Sequence, residues 1–267
     1  MNTDTTDERR LLLNGDGDNL VAVIRANINR VQERMAKAAW KAGRRAEEVR
    51  LVVVTKMHPV ETVRAAVQAG AVYLGENYAE EAVEKINGLA GVGKVEWHMI
   101  GHVQSRKARL VCAHFDLVHS LDSLRLAERL DRQASELGKV MPVLLELNLG
   151  DEESKSGWAV AEDDLSQALL DELGQVAALP HLRVLGLMSM PPLFDDPDLA
   201  RPYFKRLREL QGLLAARFPQ VTWRELSMGT STDFETAIQE GATMVRIGQA
   251  ILGPRPSKSI KYNEKNG

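Results

Sequence analysis

Leu51-Val52-Val53-Val54-Thr55-Lys56-Met57-His58-Pro59 is the stretch on which the fold turns. Four aliphatic residues in a row, three of them β-branched, make a strand buried on both faces, as in a parallel sheet. Pro59 stops the strand and suits the first turn of a helix. In barrels of parallel strands, residues at the carboxyl ends of the strands face the active site. Lys56 stands at such an end. Burial lowers the pKa of an amine from its reference of about 10.4, and a partly neutral amine is a nucleophile that condenses with aldehydes. An isolated lysine at a strand end more often emerges into solvent, so the rest of the chain has to decide.

On either side of this stretch the pattern alternates. From Asn19 to about Ala42 it is helical: Leu20, Ile24, Ile28, Val31 and Met35 share one face, and Gly43 ends the helix. Strands are predicted at 50–55, 71–75, 95–100, 115–121, 141–148, 182–189, 224–228 and 242–247. Helices are predicted between them at 59–69, 77–88, 103–113, 122–138, 160–178, 198–217 and 232–240. Such alternation implies right-handed crossovers and a parallel sheet. Eight units after a leading helix predict a single (β/α)8 TIM barrel with an extra N-terminal helix. An open doubly wound sheet is the alternative, but no Gly-rich fingerprint follows the first strand. Residues 1–18 read as a mobile extension broken by Gly15-Asp16-Gly17-Asp18, 19–256 as the barrel, and 257–267 as a disordered tail.

The 267 residues are 44% hydrophobic and 27% charged, which is ordinary for a globular protein. A net charge of −3 gives no field that would attract nucleic acid or an anionic membrane. No apolar stretch approaches the ~20 residues of a membrane span, and the polar start Met1-Asn2-Thr3-Asp4 is unlike a secretion signal. The single cysteine, Cys112, is expected to be a small core residue. The expected location is the cytoplasm.

A second informative region is Leu226-Ser227-Met228-Gly229-Thr230-Ser231-Thr232-Asp233-Phe234-Glu235, with Met244-Val245-Arg246-Ile247-Gly248-Gln249 after it. Gly229 permits a sharp turn and close approach of a ligand. Thr232 and Glu235 have capping-box spacing, so a helix is expected to start there. Hydroxyls of Thr230 and Ser231 with the backbone of Gly248 suit a phosphate, and barrels frequently bind phosphate with the loops after strands 7 and 8. Arg246 sits where a strand core would take an aliphatic residue. A buried guanidinium needs an acceptor, either a carboxylate such as Glu225 or Asp233 or a ring nitrogen of a bound cofactor.

These blocks resemble alanine racemase-like barrels that bind pyridoxal 5′-phosphate (PLP), and most closely the pyridoxal phosphate homeostasis protein family. The resemblance runs from about Leu20 to Gly253. It includes Val52-Val53-Val54-Thr55-Lys56, Leu74-Gly75-Glu76-Asn77-Tyr78 and the run Trp97-His98-Met99-Ile100-Gly101-His102-Val103-Gln104-Ser105-Arg106-Lys107. Glu146-Leu147-Asn148, Ser154-Lys155-Ser156-Gly157, Gly186-Leu187-Met188-Ser189-Met190-Pro191 and the two blocks around Ser227 and Arg246 complete it. The resemblance implies PLP as cofactor, held as a Schiff base on Lys56, with Ser231, Gly248 and the amide of Gln249 on its phosphate. It also implies Arg246 at the pyridine nitrogen, with Asn77, His98, Asn148, Met188 and Ser227 lining the pocket. Met57-His58-Pro59 departs from the usual Lys/Thr-rich turn, and Gln249 stands where Thr is expected. Neither a metal nor a catalytic residue is expected.

The implied role is intracellular PLP homeostasis, as a carrier or regulator. Partners would be PLP and apo PLP-dependent enzymes, with the protein a monomer or weak dimer. The alternative is an amino-acid racemase of the alanine racemase class. Racemisation needs a base on each face of the cofactor plane. In alanine racemase the second is a tyrosine from an additional domain, for which this chain shows no counterpart after its eighth strand. Among Tyr73, Tyr78, Tyr203 and Tyr262 none has an evident reason to face Lys56 across the ring, with Tyr78 left open by its place in the second strand–helix loop. A barrel that binds another phosphorylated metabolite is the third reading. Lys155, in the loop after the fifth strand, is a candidate second amine.

Overall fold

Residues 5–150, 156–160 and 165–255 are described by a computed structural model of the chain. In chain order the elements are α1 (Thr5–Lys41), β1 (Arg50–Val54), α2 (Val60–Gln68), β2 (Tyr73–Glu76), α3 (Ala79–Gly88), β3 (Glu96–Met99), α4 (Ala108–His114), β4 (Leu117–Leu121) and α5 (Leu124–Glu136). Then come β5 (Met141–Asn148), β6 (Trp158–Ala159), α6 (Gln167–Ala177), β7 (Leu182–Met188), α7 (Arg201–Arg217), β8 (Glu225–Ser227), α8 (Phe234–Gln239), β9 (Met244–Ile247) and α9 (Gln249–Leu252). Eight parallel strands close into a ring, β1-β2-β3-β4-β5-β7-β8-β9, with β9 back against β1 through Arg50↔Met244 to Val53↔Ile247. This is the (β/α)8 barrel expected from the alternation. The ninth strand, β6, only adds Trp158 and Ala159 to the end of β5.

Two apolar cores follow from the two faces of each strand. Val53, Leu74, Trp97, Met99, Val118, Val143, Leu145, Leu226, Val245 and Ile247 pack outward against the helices. Val52, Leu117, Leu144, Leu185, Met188 and Met244 pack inside the ring. Side chains alternate along a strand. The inward series therefore continues from Val52 to Val54 and Lys56, and from Met244 to Arg246 and Gly248. On β7 the alternation is broken deliberately. Val143 pairs with Val184 but Leu144 pairs with Gly186, leaving Leu185 as an extra residue. The bulge lets Leu185 and Met188, three apart, both face inward while Leu187 faces the helices.

Helix α1 closes the ring from outside. Ile24, Ile28, Val31 and Met35 are buried on one face, as their spacing requires. Asn27 Nδ2 donates to the carbonyl of Ile251 at 2.9 Å, and Arg34 makes a two-point contact with Glu235 while lying over the Phe234 ring. Arg44 Nη1 donates to the carbonyls of Ile238 and Ala242. The helix starts before the expected Asn19 and runs through Gly15 and Gly17; each glycine weakens a helix by about 1 kcal/mol but does not block it as proline would. Helix α6 starts seven residues later than expected, behind Ser166, whose hydroxyl accepts from the Leu169 amide. Trp158, ahead of that helix in the chain, joins β5 and ties to Glu172 through its indole N–H. Cys112 is buried, and burial raises its thiol to about 11. The expected tail, 257–267, and Lys155 lie outside the described residues.

Candidate functional site

Lys56 follows β1 at the carboxyl-end mouth of the barrel and is half-buried. Burial is the largest influence on its amine and lowers its pKa; the positive charges of Arg255 and Arg246 act the same way, and Glu76 opposes them. The backbone turns at once after it. The His58 amide donates to the Thr55 carbonyl at 3.1 Å, and Met57 adopts φ +64°, which residues other than glycine seldom hold.

Arg246, on the inward face of β9, is 4% exposed. Desolvation pulls its pKa down to about 10, which leaves it a cation at neutral pH. Nη1 donates to Ser227 Oγ at 2.5 Å and Nη2 to the Ser189 carbonyl at 3.0 Å. No carboxylate among the described residues ion-pairs with it. Glu225, one of the two expected partners, is taken by Arg50 and Arg224. Asp233 attracts the guanidinium only through space, with Glu146 the stronger such charge, and its Oδ1 accepts from the amide and hydroxyl of Thr230.

From Arg246 a hydrogen-bonded chain crosses the barrel. Ser227 Oγ is 2.8 Å from His119 Nδ1, and His119 Nε2 is 3.0 Å from His98 Nδ1. His98 Nε2 lies 3.9 Å from Glu96 at the far end of β3. Burial lowers the pKa of both imidazoles, most for His119, so both are neutral at pH 7 and relay polarity rather than charge. Met188 pairs in register with Ser227. His98, Met188 and Ser227 are thus an almost wholly buried floor next to Arg246.

Val54, His58, Gly248, Gln249, Gly253, Pro254 and Arg255 line a cleft of about 250 Å³ beside Lys56. Ser231 is half-buried, and its hydroxyl has no protein partner among the described residues. Asn77 lies on the other side of Lys56, in a second cleft of about 440 Å³ with Tyr78, His102 and Arg106. Asn148 ends β5 half-buried, with Oδ1 accepting from the Gly150 amide. The expected capping box does not form. Asp233 precedes α8 and turns back onto Thr230, Thr232 is exposed, and Glu235 is drawn away by Arg34.

Four residues at or below the mouth have no role assigned from the sequence: His119, Glu146, Ser189 and Arg255. Glu146 is the most unusual. Burial first, then the nearby Asp122 charge, raises its carboxyl to about 7, against the pull of Arg246 and His102. The folded protein therefore binds a proton that the unfolded chain releases from about 4.5 upward, and the stability this contributes is lost as pH rises from 4.5 to about 7. Glu146→Gln is expected to remove that slope, at most about 1.4 kcal/mol per pH unit. Urea midpoints at about pH 5 and about pH 8 test it. An unaltered pH dependence in the variant would place the proton on another group.

A family model described as alanine racemase, N-terminal domain, matches residues 21–256. The pyridoxal phosphate homeostasis protein of Escherichia coli (strain K12) is 41% identical over 235 residues, covering 86% of this chain and 95% of that one. The same-named protein of Vibrio alginolyticus is 41% identical over 237 residues, 87% of this chain and 97% of its own. The chain belongs to the pyridoxal phosphate homeostasis protein family. Among solved structures, PipY of Synechococcus elongatus PCC7942 with PLP bound superposes with a TM-score of 0.72 at 36% identity, over 84% of this chain and 100% of PipY. Every residue of the mouth named above lies within the span this homeostasis-family chain shares with the family model. No helix among the described residues is long and apolar enough to cross a membrane, and no group of three potential ligands among them could hold a metal ion.

Proposed function

We propose that this protein binds PLP at the carboxyl-end mouth of its barrel and acts in the homeostasis of that cofactor, holding it for delivery rather than using it. The observation that carries the reading is Lys56. A half-buried amine of lowered pKa ends β1, within the field of the buried guanidinium of Arg246. The PLP-bound PipY structure and the names of the relatives support the same reading.

The residues present fit the group. When bound, PLP supplies an aldehyde that condenses with a neutral amine, and Lys56 is the amine that would hold it. Arg246 has five N–H donors, of which two meet protein acceptors, so it has donors left for a ring nitrogen. A cation there disfavours protonation of that nitrogen and weakens the ring as an electron sink. Ser189 Oγ, beside the carbonyl that Arg246 grips, is buried with no partner. At Gly248 a Cβ would come within 3.1 Å of the Val54 carbonyl, so the backbone there stays bare and open to a phosphate. Ser231, Gly248 and the amide of Gln249 would hold the phosphate, and Asn77, His98, Asn148, Met188 and Ser227 would shape the surroundings.

Ser231→Ala should weaken PLP binding about tenfold, because a hydrogen bond to a charged group contributes roughly 1.5–3 kcal/mol. Titration followed by visible absorbance measures it, and equal affinity would move the phosphate elsewhere. Apo PLP-dependent enzymes would be the recipients, with the protein a cytoplasmic monomer or weak dimer. The family model, described by alanine racemase, favours one second reading, an amino-acid racemase. Exchange of the α-proton in deuterated water across a panel of amino acids separates the two. Sustained exchange of any amino acid would replace the carrier reading, and its absence would support it.

A further inference from the structure

We infer that Lys85 is a positioning residue that clamps the turn carrying Lys56, through a buried ammonium–carboxylate cluster on the outer side of that turn. The inference rests on the proposed PLP reading and deepens it.

Lys85 lies in the last turn of α3 and is only 3% exposed. Its Nζ has three donors and three acceptors: the Thr55 carbonyl at 2.7 Å, Glu76 Oε1 at 2.6 Å and Glu81 Oε1 at 2.6 Å. Glu81 Oε1 also accepts the Met57 amide at 2.6 Å, and Glu76 Oε1 the Thr55 hydroxyl at 2.6 Å. The peptide groups before and after Lys56 are therefore both tied to one cluster, which leaves the Lys56 side chain itself free.

The turn needs that tie. Thr55 to His58 is a four-residue turn closed by the His58 amide, and its third residue, Met57, has φ +64°. Turns with positive φ at that position normally place glycine there. Methionine in its place makes the turn unstable by itself, and the bond from Met57 to Glu81 holds it. The cluster also sets the charge balance around Lys56. Glu76 Oε2 is buried with no partner, and the Glu76 charge favours the ammonium form of Lys56. Arg246 and Arg255 face Lys56 from the other side and oppose that effect. Lys85 offsets Glu76 and Glu81 within the cluster. Burial pushes the Glu76 carboxyl up and Lys85 pulls it down, so without Lys85 the cluster would lose its cation and the turn its clamp.

With bound PLP, Lys56 would supply the amine that condenses with the aldehyde, its oxygen leaving as water, so no oxidant or reductant would be needed. A positioning role therefore predicts a loss confined to ligands that carry the aldehyde. The test compares wild type, Lys85→Met, Lys85→Arg and Glu81→Ala, each checked for folding by circular dichroism. PLP and 4′-deoxypyridoxine 5′-phosphate, which has the ring and phosphate but no aldehyde, are titrated in parallel. Lys85→Met should lose about tenfold or more for PLP and less than about twofold for the deoxy analogue. Lys85→Arg should restore part of the loss. If Lys85→Met does not fold, Glu81→Ala, which removes the acceptor of the Met57 amide and keeps Lys85, carries the same comparison. Equal losses for both ligands, or none for either, would overturn the assignment. A wild type that binds the deoxy analogue but not PLP would overturn it as well. A wild type that binds neither ligand would overturn the PLP reading and this inference together.

Discussion

Lys56→Ala should abolish the visible absorbance of protein mixed with PLP, and with it all borohydride-stable addition at this site. The effect is expected to be complete among the described residues of the mouth. Lys85 is saturated by three acceptors and buried. The Arg246 guanidinium, at about 10, stays protonated and cannot act as a nucleophile at neutral pH. Lys56 alone among the mouth residues described has an amine whose pKa burial and two flanking cations bring down toward the working range. The phosphate should still bind, so the variant should retain weak affinity for the deoxy analogue. Mass spectrometry after borohydride reduction is the measurement. A wild-type-sized adduct in the variant would mean that the cofactor is held by another amine.

Gly186→Ala should be the most damaging single methyl in the barrel. Gly186 has φ +155°, and a Cβ built on it would lie 1.9 Å from the Glu225 carbonyl oxygen and 2.8 Å from the Glu225 nitrogen. Those are backbone atoms of the neighbouring strand, paired with Gly186 in register, and they cannot rotate away as a side chain could. Either β8 moves or the bulge is lost. Moving β8 displaces Ser227 and so the anchor of Arg246. Losing the bulge restores simple alternation, which would turn Met188 away from the interior. Overpacking alone costs about 1–3 kcal/mol, and strain at positive φ adds to it, so a melting temperature roughly 5–10 °C lower is expected. A melting curve that coincides with wild type would show that β7 and β8 can separate freely, and the bulge would lose its structural role.

Much of this architecture is legible in local patterns. The run Leu51–Thr55, the helical face from Leu20 to Met35 and the alternation after them depend on neighbours in sequence, and the barrel follows from them. The site is legible only where a residue contradicts its local pattern, as Arg246 does among the aliphatic residues of β9 and Lys56 at the end of β1. Lys85 does not. In the sequence it reads as the far member of a Glu81–Lys85 pair one turn apart, the usual solvated arrangement. Only its place three residues after buried Ala82 hints that it points inward. His119 is a single polar residue in a buried strand, and its partners Ser227 and His98 are 108 and 21 residues away. The Thr232–Glu235 spacing fits a capping box but loses to Arg34, 201 residues earlier in the chain. Local spacing cannot weigh such competition.

The seam between the two ends of the barrel bears on how the protein is made. Asn27, Arg34 and Arg44 reach Ile251, Glu235, Ile238 and Ala242, and β1 supplies the edge on which β9 pairs. During synthesis the first strand must therefore wait, with one edge unpaired, until nearly the whole domain has emerged. An unpaired strand edge is where chains join wrongly to one another. Arg50 is the first residue of that edge, and its charge opposes such pairing until Glu225 and Met244 arrive to complete the seam.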